Sequence, residues 1–550
     1  MNTSVGQTKE QDSKSDGAME THGSAPRERG AVLALYLSVF VTGFAVLALE
    51  TIAFRMLSPF FGSTIFSFSS VITVVLAGLS LGYLVGGWYA DRGAERVSFY
   101  RLICIGGVVS LVFYASVPLI LSAVSTITYS MVWGSLIGST IAFLIPAFVL
   151  GMVSPYAIKL AIMDRGITAA GQTAGALFAF STAGSIAGSI AAGFWLIPNY
   201  AISWTVICLS LILIFWGGVG WMVYRSERRT RISIILAWIL VSGVGYGIQV
   251  DGVTVPLPYA GTIVHQEEGV YQTVSVLDTK YRNEPARILV LDRGLSSGIS
   301  LVTGRLIFDY ALYQDLHLLY APKPERALFL GGGSASQAHA LYDATEDTHI
   351  VVVDIEPILP RISYTYFTVP ESERLEYVID DARVYLRRTD QQYEYIFSDV
   401  FASVFSVPSH VMTEEFFRLA HERLAPEGVF MINIIGSLDP RPPSALFSVY
   451  NTMARVFPMV ELFAVNDPDS YMLQNMIIVA SNGDSVIDRI ESIESEAMRR
   501  AFWRMARNRV DMGSYDLARY RPYRDDFASV ESDLGVLLLR FERDELLRAR

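Results

Sequence analysis

Seven apolar runs crowd the first 250 of 550 residues, and nothing else in the chain limits its fold as strongly. They lie at about 31–52, 65–90, 101–121, 130–153, 170–197, 201–224 and 232–249. Each carries few charges and is roughly 18 to 28 residues long, which suffices to cross a hydrocarbon core about 30 Å thick. Residues 31–250 are therefore expected to form a transmembrane bundle of about seven helices, a multi-pass anchor in a cell membrane. The 30 residues before it are polar and poor in aromatics, cannot bury enough surface to fold, and are expected as a disordered tail. The first run exceeds the apolar core of a signal peptide and is expected to remain in place.

Within the bundle, glycines recur every four positions at Gly78, Gly82 and Gly86, at Gly171 and Gly175, and at Gly184 and Gly188. That spacing lets helix backbones approach closely where lipid gives no hydrophobic drive between helices. Glu50, Arg55 and Lys159 stand near span ends, where long side chains reach toward water. Cys104 and Cys208 lie inside apolar runs and read as small packed side chains, neither a disulfide nor a metal site. The net charge of -11 includes no basic tract able to follow a phosphate backbone, so the partner implied is the lipid bilayer and not nucleic acid.

After residue 250 the pattern changes to short alternating segments. Residues 273–279 and 286–292 read as half-buried strands around a turn at Asn283, Glu284 and Pro285, part of a small β-unit with a linking helix over 251–325. Strands and helices then alternate, with strands at 327–333, 349–354, 375–379, 394–399 and 428–434. Such alternation implies a mainly parallel sheet covered on both faces, an α/β Rossmann-like domain over 326–483. Residues 484–550, rich in Arg and Glu at helical spacing, are expected as a charged helical segment with a solvated, ion-paired face.

Ligands of such sheets bind at the C-terminal ends of the strands. The stretch ALFLGGGSASQAHALYDATEDTHIVVVDIEP, residues 327–357, runs strand, glycine turn, helix, strand, and reaches Asp354. A turn at Gly331, Gly332 and Gly333 lets backbone N–H groups approach a ligand, and an acid at the next strand end can accept bonds from both ribose hydroxyls. Asp381 and Asp399 fall at two further strand ends. The constellation suits a nucleoside.

The order YQ (271–272), LVLD (289–292), GGG, VVVDIEP, DDA (380–382) and YEYIFSD (393–399) resembles the spermidine synthase, or polyamine aminopropyltransferase, family over about residues 262–440. The apolar front half resembles that family's membrane-spanning members, and RDDFASVE at 524–531 resembles their acidic closing segment. The resemblance implies a spermidine synthase/methyltransferase-type fold with decarboxylated S-adenosylmethionine, or S-adenosylmethionine itself, as co-substrate. It implies that Tyr271 and Gln272 lie against the nucleoside and the aminopropyl donor, with Gly331 and Gly333 forming the turn beneath. Ser334 follows in that turn, Asp354 takes the ribose, and Asp380 and Asp381 border the adenine, Asp381 accepting from its amino group. Asp399 matches the catalytic base. A carboxylate beside a primary amine can hold and deprotonate it so that its lone pair attacks the carbon next to a sulfonium. The sulfonium supplies the leaving group, so no metal is expected.

Departures from the family pattern bear on the acceptor. Ser334 stands where the family has an Asp that holds the donor's amine, and Ser296 and Ser297 stand where it has a Gln. Asp399 is followed by Val400, Phe401, Ala402 and Ser403, without the family's second Asp and Pro. A polyamine is a multiply charged cation whose pocket needs several carboxylates, and at least two are replaced. His410 in VPSHVMTEEFF, with Thr413 and Glu414, reads either as a general base or acid or as a hydrogen-bonding structural residue. Tyr313 and Asp315 match positions lining the family's acceptor channel, and an amphipathic helix explains their spacing equally well.

The expected function is a membrane-anchored transferase moving an aminopropyl group to a small-molecule amine such as putrescine. Two alternatives stand beside it: a transferase using the same donor site on a non-polyamine or membrane-embedded acceptor, and a transporter or scaffold with a non-catalytic nucleoside domain. A homo-oligomer is compatible with each. The side of the membrane also stays open. The tail and the loops around Arg92, Arg96 and Arg101, around Lys159 and Arg165, and around Arg225, Arg228, Arg229 and Arg231 share one side, leaving essentially Arg55 on the other. By the positive-inside rule seven spans put the C-terminal half outside, whereas nucleoside chemistry belongs in the cytoplasm.

Overall fold

The computed structural model describes residues 26–128, 130–225, 255–400 and 407–548. Among them six helical spans are long and apolar enough to cross a membrane: Gly30–Phe61, Ile65–Asp91, Arg96–Ile127, Met131–Arg165, Ile167–Asn199 and Ile202–Tyr224. The expected seventh run, 232–249, and most of the N-terminal tail lie outside the described residues. Several spans run longer than the apolar pattern suggested, among them the third, Arg96–Ile127. The first continues past residue 52 to Phe61, which puts Arg55 well inside it, and the fourth resumes after Met152 as Val153–Arg165, which carries Lys159. Side chains at two helix starts accept the orphan N–H groups there: Thr64 from Ser67 and Ser130 from Trp133.

The glycine stripes divide. Gly78, Gly82 and Gly86 press the second span onto the fourth, and a Cβ at Gly82 would stand 2.3 Å from the Phe148 carbonyl oxygen. Gly184 and Gly188 press the fifth span onto the first, each within 2.1 Å of a carbonyl oxygen, Phe40 and Phe44, for an added Cβ. Gly171 and Gly175 face open space instead, because at that height the packed face of the fifth span is the one that carries Thr173 and Leu177.

The two ends of the bundle differ chemically. At one end Arg96 pairs with Asp164, Lys159 with Asp91 (2.7 Å), and Arg165 lies over the Tyr36 ring. At the other end the soluble half docks. There Arg293 donates to Ser125 Oγ (2.8 Å), the Ile202 N–H to Glu268 (2.6 Å) and the Ile65 N–H to Glu531 (3.0 Å). The soluble half therefore sits on the face opposite the Arg-rich loops.

That half begins with a four-stranded antiparallel sheet, β1 (Thr262–Glu268), β2 (Thr273–Tyr281), β3 (Glu284–Leu291) and β4 (Gly294–Ser300), in sequence order. Its central hairpin turns on Arg282 and Asn283, both at positive φ (50° and 68°), one residue earlier than expected, and Pro285 belongs to β3. Two consecutive positive φ angles give a turn whose twist matches that of the flanking strands.

A seven-stranded sheet follows, β5 (Arg326–Leu330), β6 (His349–Asp354), β7 (Leu375–Ile379), β8 (Tyr393–Ser398), β9 (Leu424–Gly436), β10 (Met459–Ala464) and β11 (Gln474–Ser481). The strand order is β10-β11-β9-β8-β5-β6-β7, with β5 to β9 parallel. The last two strands are antiparallel and extend the Rossmann-like sheet beyond the expected five. Alternation along β5 sends Leu328 and Leu330 into one core and Ala327 and Phe329 into the other, so both faces are covered. The C-terminal segment departs from a merely solvated helix. Tyr520, Tyr523, Val530 and Leu534 enter the first core and Phe502 and Ala506 the second, while ion pairs such as Arg500 with Glu496 stay outside.

Candidate functional site

The chain moves outward from β5 in opposite directions to β6 and to β8, so a crevice opens beyond the ends of β5 and β8. Gly331 to Gly333 follow β5 and Asp399 follows β8. The two are in backbone contact: Gly331 has φ +84°, and a Cβ there would lie 2.3 Å from the Asp399 carbonyl oxygen. Only glycine fits that position.

Asp354, ending β6, faces this turn. One carboxylate oxygen accepts the N–H groups of Gly332 (2.9 Å) and Gly333 (3.2 Å), and the other accepts that of Glu356 (3.0 Å). Burial raises its pKa and these backbone donors pull against the rise. The N–H groups of Gly332 and Gly333 are thus engaged by Asp354, and the Ile355 N–H also lies against its carboxylate.

Asp399 is held by Asn433 Nδ2 (2.8 Å), whose amide is itself oriented by Asn475 (3.0 Å). The Tyr310 hydroxyl reaches both Asp399 and the Ser296 carbonyl oxygen (2.7 Å). Burial pushes the Asp399 carboxyl up to about 7, against the pull of Asn433 and Tyr310. Such a group exchanges its proton near neutral pH, as a general base must.

Ser334 is fully buried, bonded through Oγ to Ser297 (2.7 Å) and Ser336 (2.6 Å), so a closed serine cluster fills the place of an acid. The turn Gly269, Val270, Tyr271, Gln272 is tied to the sheet by Glu356, whose carboxylate accepts the N–H groups of Val270 (3.1 Å), Tyr271 (2.8 Å) and Gln272 (3.3 Å). Tyr271 is 47% exposed and Gln272 is buried.

The third acidic strand end is engaged locally. Asp381 caps the helix Ala382–Arg388 by accepting from Arg383 and Val384, and its other oxygen meets His410 Nε2 (2.9 Å). That bond lowers the Asp381 pKa. Asp380 turns to Arg388 (3.2 Å) and to the Asp381 N–H. Arg383 forks the Asp525 carboxylate, which also accepts from Thr413 (2.8 Å), so RDDFASVE closes over this edge while Glu414 pairs with Arg418. Tyr313 is buried on Phe463 and Asp315 points outward, an arrangement that the amphipathic reading explains. Ala402 and Ser403 lie outside the described residues. Sequence reasoning passed over Glu356, Tyr310 and Asn433. An Asn in the middle of the apolar run of β9 was the available signal, since a buried polar residue needs a partner.

The model of the spermine/spermidine synthase domain matches residues 313–488. The matched stretch contains the glycine turn, Asp354, Asp381, Asp399 and Asn433, whereas Tyr271, Gln272, Ser296 and Ser297 precede it. The chain is 29% identical over 181 residues to the polyamine aminopropyltransferase of Vibrio vulnificus, covering 31% of this chain and 59% of that one. It is 26% identical to thermospermine synthase ACAULIS5 of Arabidopsis thaliana, covering 38% and 61%, so it spans less than two thirds of either relative. Polyamine aminopropyltransferase 1 of Streptomyces coelicolor is 24% identical over 427 residues, 74% of this chain and 76% of that one. A solved probable spermidine synthase from Corynebacterium glutamicum aligns with TM-score 0.37 at 24% identity, over 46% of this chain and 97% of that one.

Proposed function

We propose that this protein is a membrane-anchored transferase of the aminopropyltransferase type. It binds an S-adenosyl sulfonium, S-adenosylmethionine or its decarboxylated form, in the crevice beyond β5 and β8, and transfers the aminopropyl or a related group to an amine. The observation that carries this reading is Asp399: a half-buried carboxyl that desolvation pushes up to about 7, in backbone contact with the glycine turn of the stretch that matches the synthase domain.

The chain's own residues fit the donor. Asp354, at the end of β6 beside the glycine turn, stands where the donor's ribose would lie. Ile355 and Ile379, 38% and 44% exposed at the paired ends of β6 and β7, offer an apolar surface for a flat base, with Asp381 beside them. In the transfer, ionised Asp399 takes a proton from the acceptor amine. The nitrogen lone pair forms the new C–N bond, the C–S bond breaks, and its electrons leave on sulfur as a neutral thioether.

The closed cluster of Ser297, Ser334 and Ser336 offers the donor's amine no carboxylate, and the missing second acid after Asp399 favours an acceptor less charged than a free polyamine, including one held in the membrane. Residues on the bundle's Arg-rich end make that end cytoplasmic by charge, so the synthase domain and its substrates belong on the other face.

Calorimetric titration of the full chain in detergent with S-adenosylmethionine, its decarboxylated form and methylthioadenosine tests the donor site. Binding of at least one is expected, with weak consumption of putrescine. No binding by all three would end this reading, and robust spermidine formation would show that the missing second acid does not exclude polyamines.

A further inference from the structure

We infer that Arg55, in the first membrane span, is a positioning residue for the donor site, so that the bundle sets the affinity of the synthase domain for its nucleoside. The inference rests on the donor site proposed above. Arg55 is half-buried and does not reach toward water as span-end arginines do. Its guanidinium donates through Nη1 to the Tyr271 carbonyl oxygen and through Nη2 to that of Gly269 (3.1 Å). The acids around it, Asp292, Glu356 and Glu268, all belong to the soluble half.

The turn that Arg55 grips is the one Glu356 grips from the opposite side. Three of its N–H groups go to Glu356, and the Gly269 N–H closes the turn on the Gln272 carbonyl oxygen (2.9 Å). Gly269 is required by the fit: a Cβ would stand 2.5 Å from the Glu356 carboxylate. From Glu356 the bonds continue without a gap. Its N–H donates to Asp354, and Asp354 holds the N–H groups of Gly332 and Gly333. An unbroken hydrogen-bonded chain therefore runs from a membrane helix to the glycine turn.

Removing Arg55 would leave two carbonyl groups of the turn without their donor and take a cation from beside Asp292, Glu356 and Glu268. Arg293 provides the contrast. It docks the same interface through Ser125 and the Phe60 ring, yet none of its bonds enters that chain.

The test compares Arg55→Met, Arg55→Lys and Arg293→Met in the full-length protein in lipid nanodiscs. In Arg55→Met the donor KM and Kd should rise about tenfold, the usual scale for losing charge-assisted bonds, with kcat within about twofold. Hydrogen exchange should quicken in peptides holding 269–272 and 331–334 and stay unchanged in β9. Arg55→Lys keeps the charge without the fork and should recover part of the loss. Arg293→Met should leave donor affinity and both peptides as in the wild type. Unchanged exchange at 331–334 in Arg55→Met, or an equal effect of Arg293→Met, overturns the inference. A wild type that binds no adenosyl ligand refutes the donor site instead, and the exchange comparison still decides whether Arg55 holds the turn.

Discussion

Replacing Asp399 with Asn should abolish a pH dependence that the wild type shows. Burial raises the Asp399 carboxyl from 3.8 to about 7, so the folded protein holds this proton more tightly than the unfolded chain does. The stability linked to it is fully present below about pH 4, declines as the pH rises, and is gone once the pH passes about 7. The interval from 3.8 to about 7, at about 1.4 kcal/mol per pH unit, corresponds to about 4 kcal/mol. That figure is an upper bound, since an ionising carboxylate draws in water. Asn has nothing to ionise. The stability advantage of Asp399→Asn over the wild type should therefore grow between pH 4 and 7 and level off above, as read by thermal unfolding in detergent. Turnover should behave oppositely. The wild-type rate should rise toward pH 7 as the base ionises, whereas the variant should be about 100-fold slower or more and lack that limb. A variant within tenfold of wild-type turnover, or a stability difference that does not change between pH 4 and 7, would refute the reasoning.

Asp354→Ala removes the acceptor for Gly332 and Gly333 and should weaken donor binding by about 1.5 to 3 kcal/mol in calorimetry; unchanged affinity would take Asp354 out of the site. Gly331→Ala puts a side chain at φ +84° and 2.3 Å from the Asp399 carbonyl oxygen. It should destabilise by about 1 to 3 kcal/mol and lower turnover as Asp399 shifts, and a normal melting temperature would show that the turn relaxes. Reporter fusions after residues 128 and 200 and at the C-terminus should all read as non-cytoplasmic, because both loops and the soluble half share the Arg-poor face. A cytoplasmic C-terminus with both loops outside would contradict the docking of the two halves.

The sequence by itself determined the partition into an apolar bundle and a Rossmann-like half, because periodicity and span length are local properties of the chain. It also placed Gly331 to Gly333, Asp354, Asp381 and Asp399 at strand ends, since each ends an apolar run. It left open what those groups do to one another. Asp354 serves the glycine turn before any ribose, His410 serves Asp381, and the serines at 297, 334 and 336 close on themselves. Apart from the bond between Ser334 and Ser336, these contacts join residues 21 to 37 positions apart, and those of Arg55 with residues 269 and 271 span 214 and 216. The pKa of Asp399 belongs with them, for Asp399 is an ordinary carboxyl until β5, β8 and β9 bury it and bring up Asn433 and Tyr310. Hydropathy decides locally which segments leave water. Which hydrogen-bond partner a buried carboxylate finds there is settled only when distant strands meet, because a desolvated charge takes whatever donors the assembled fold presents.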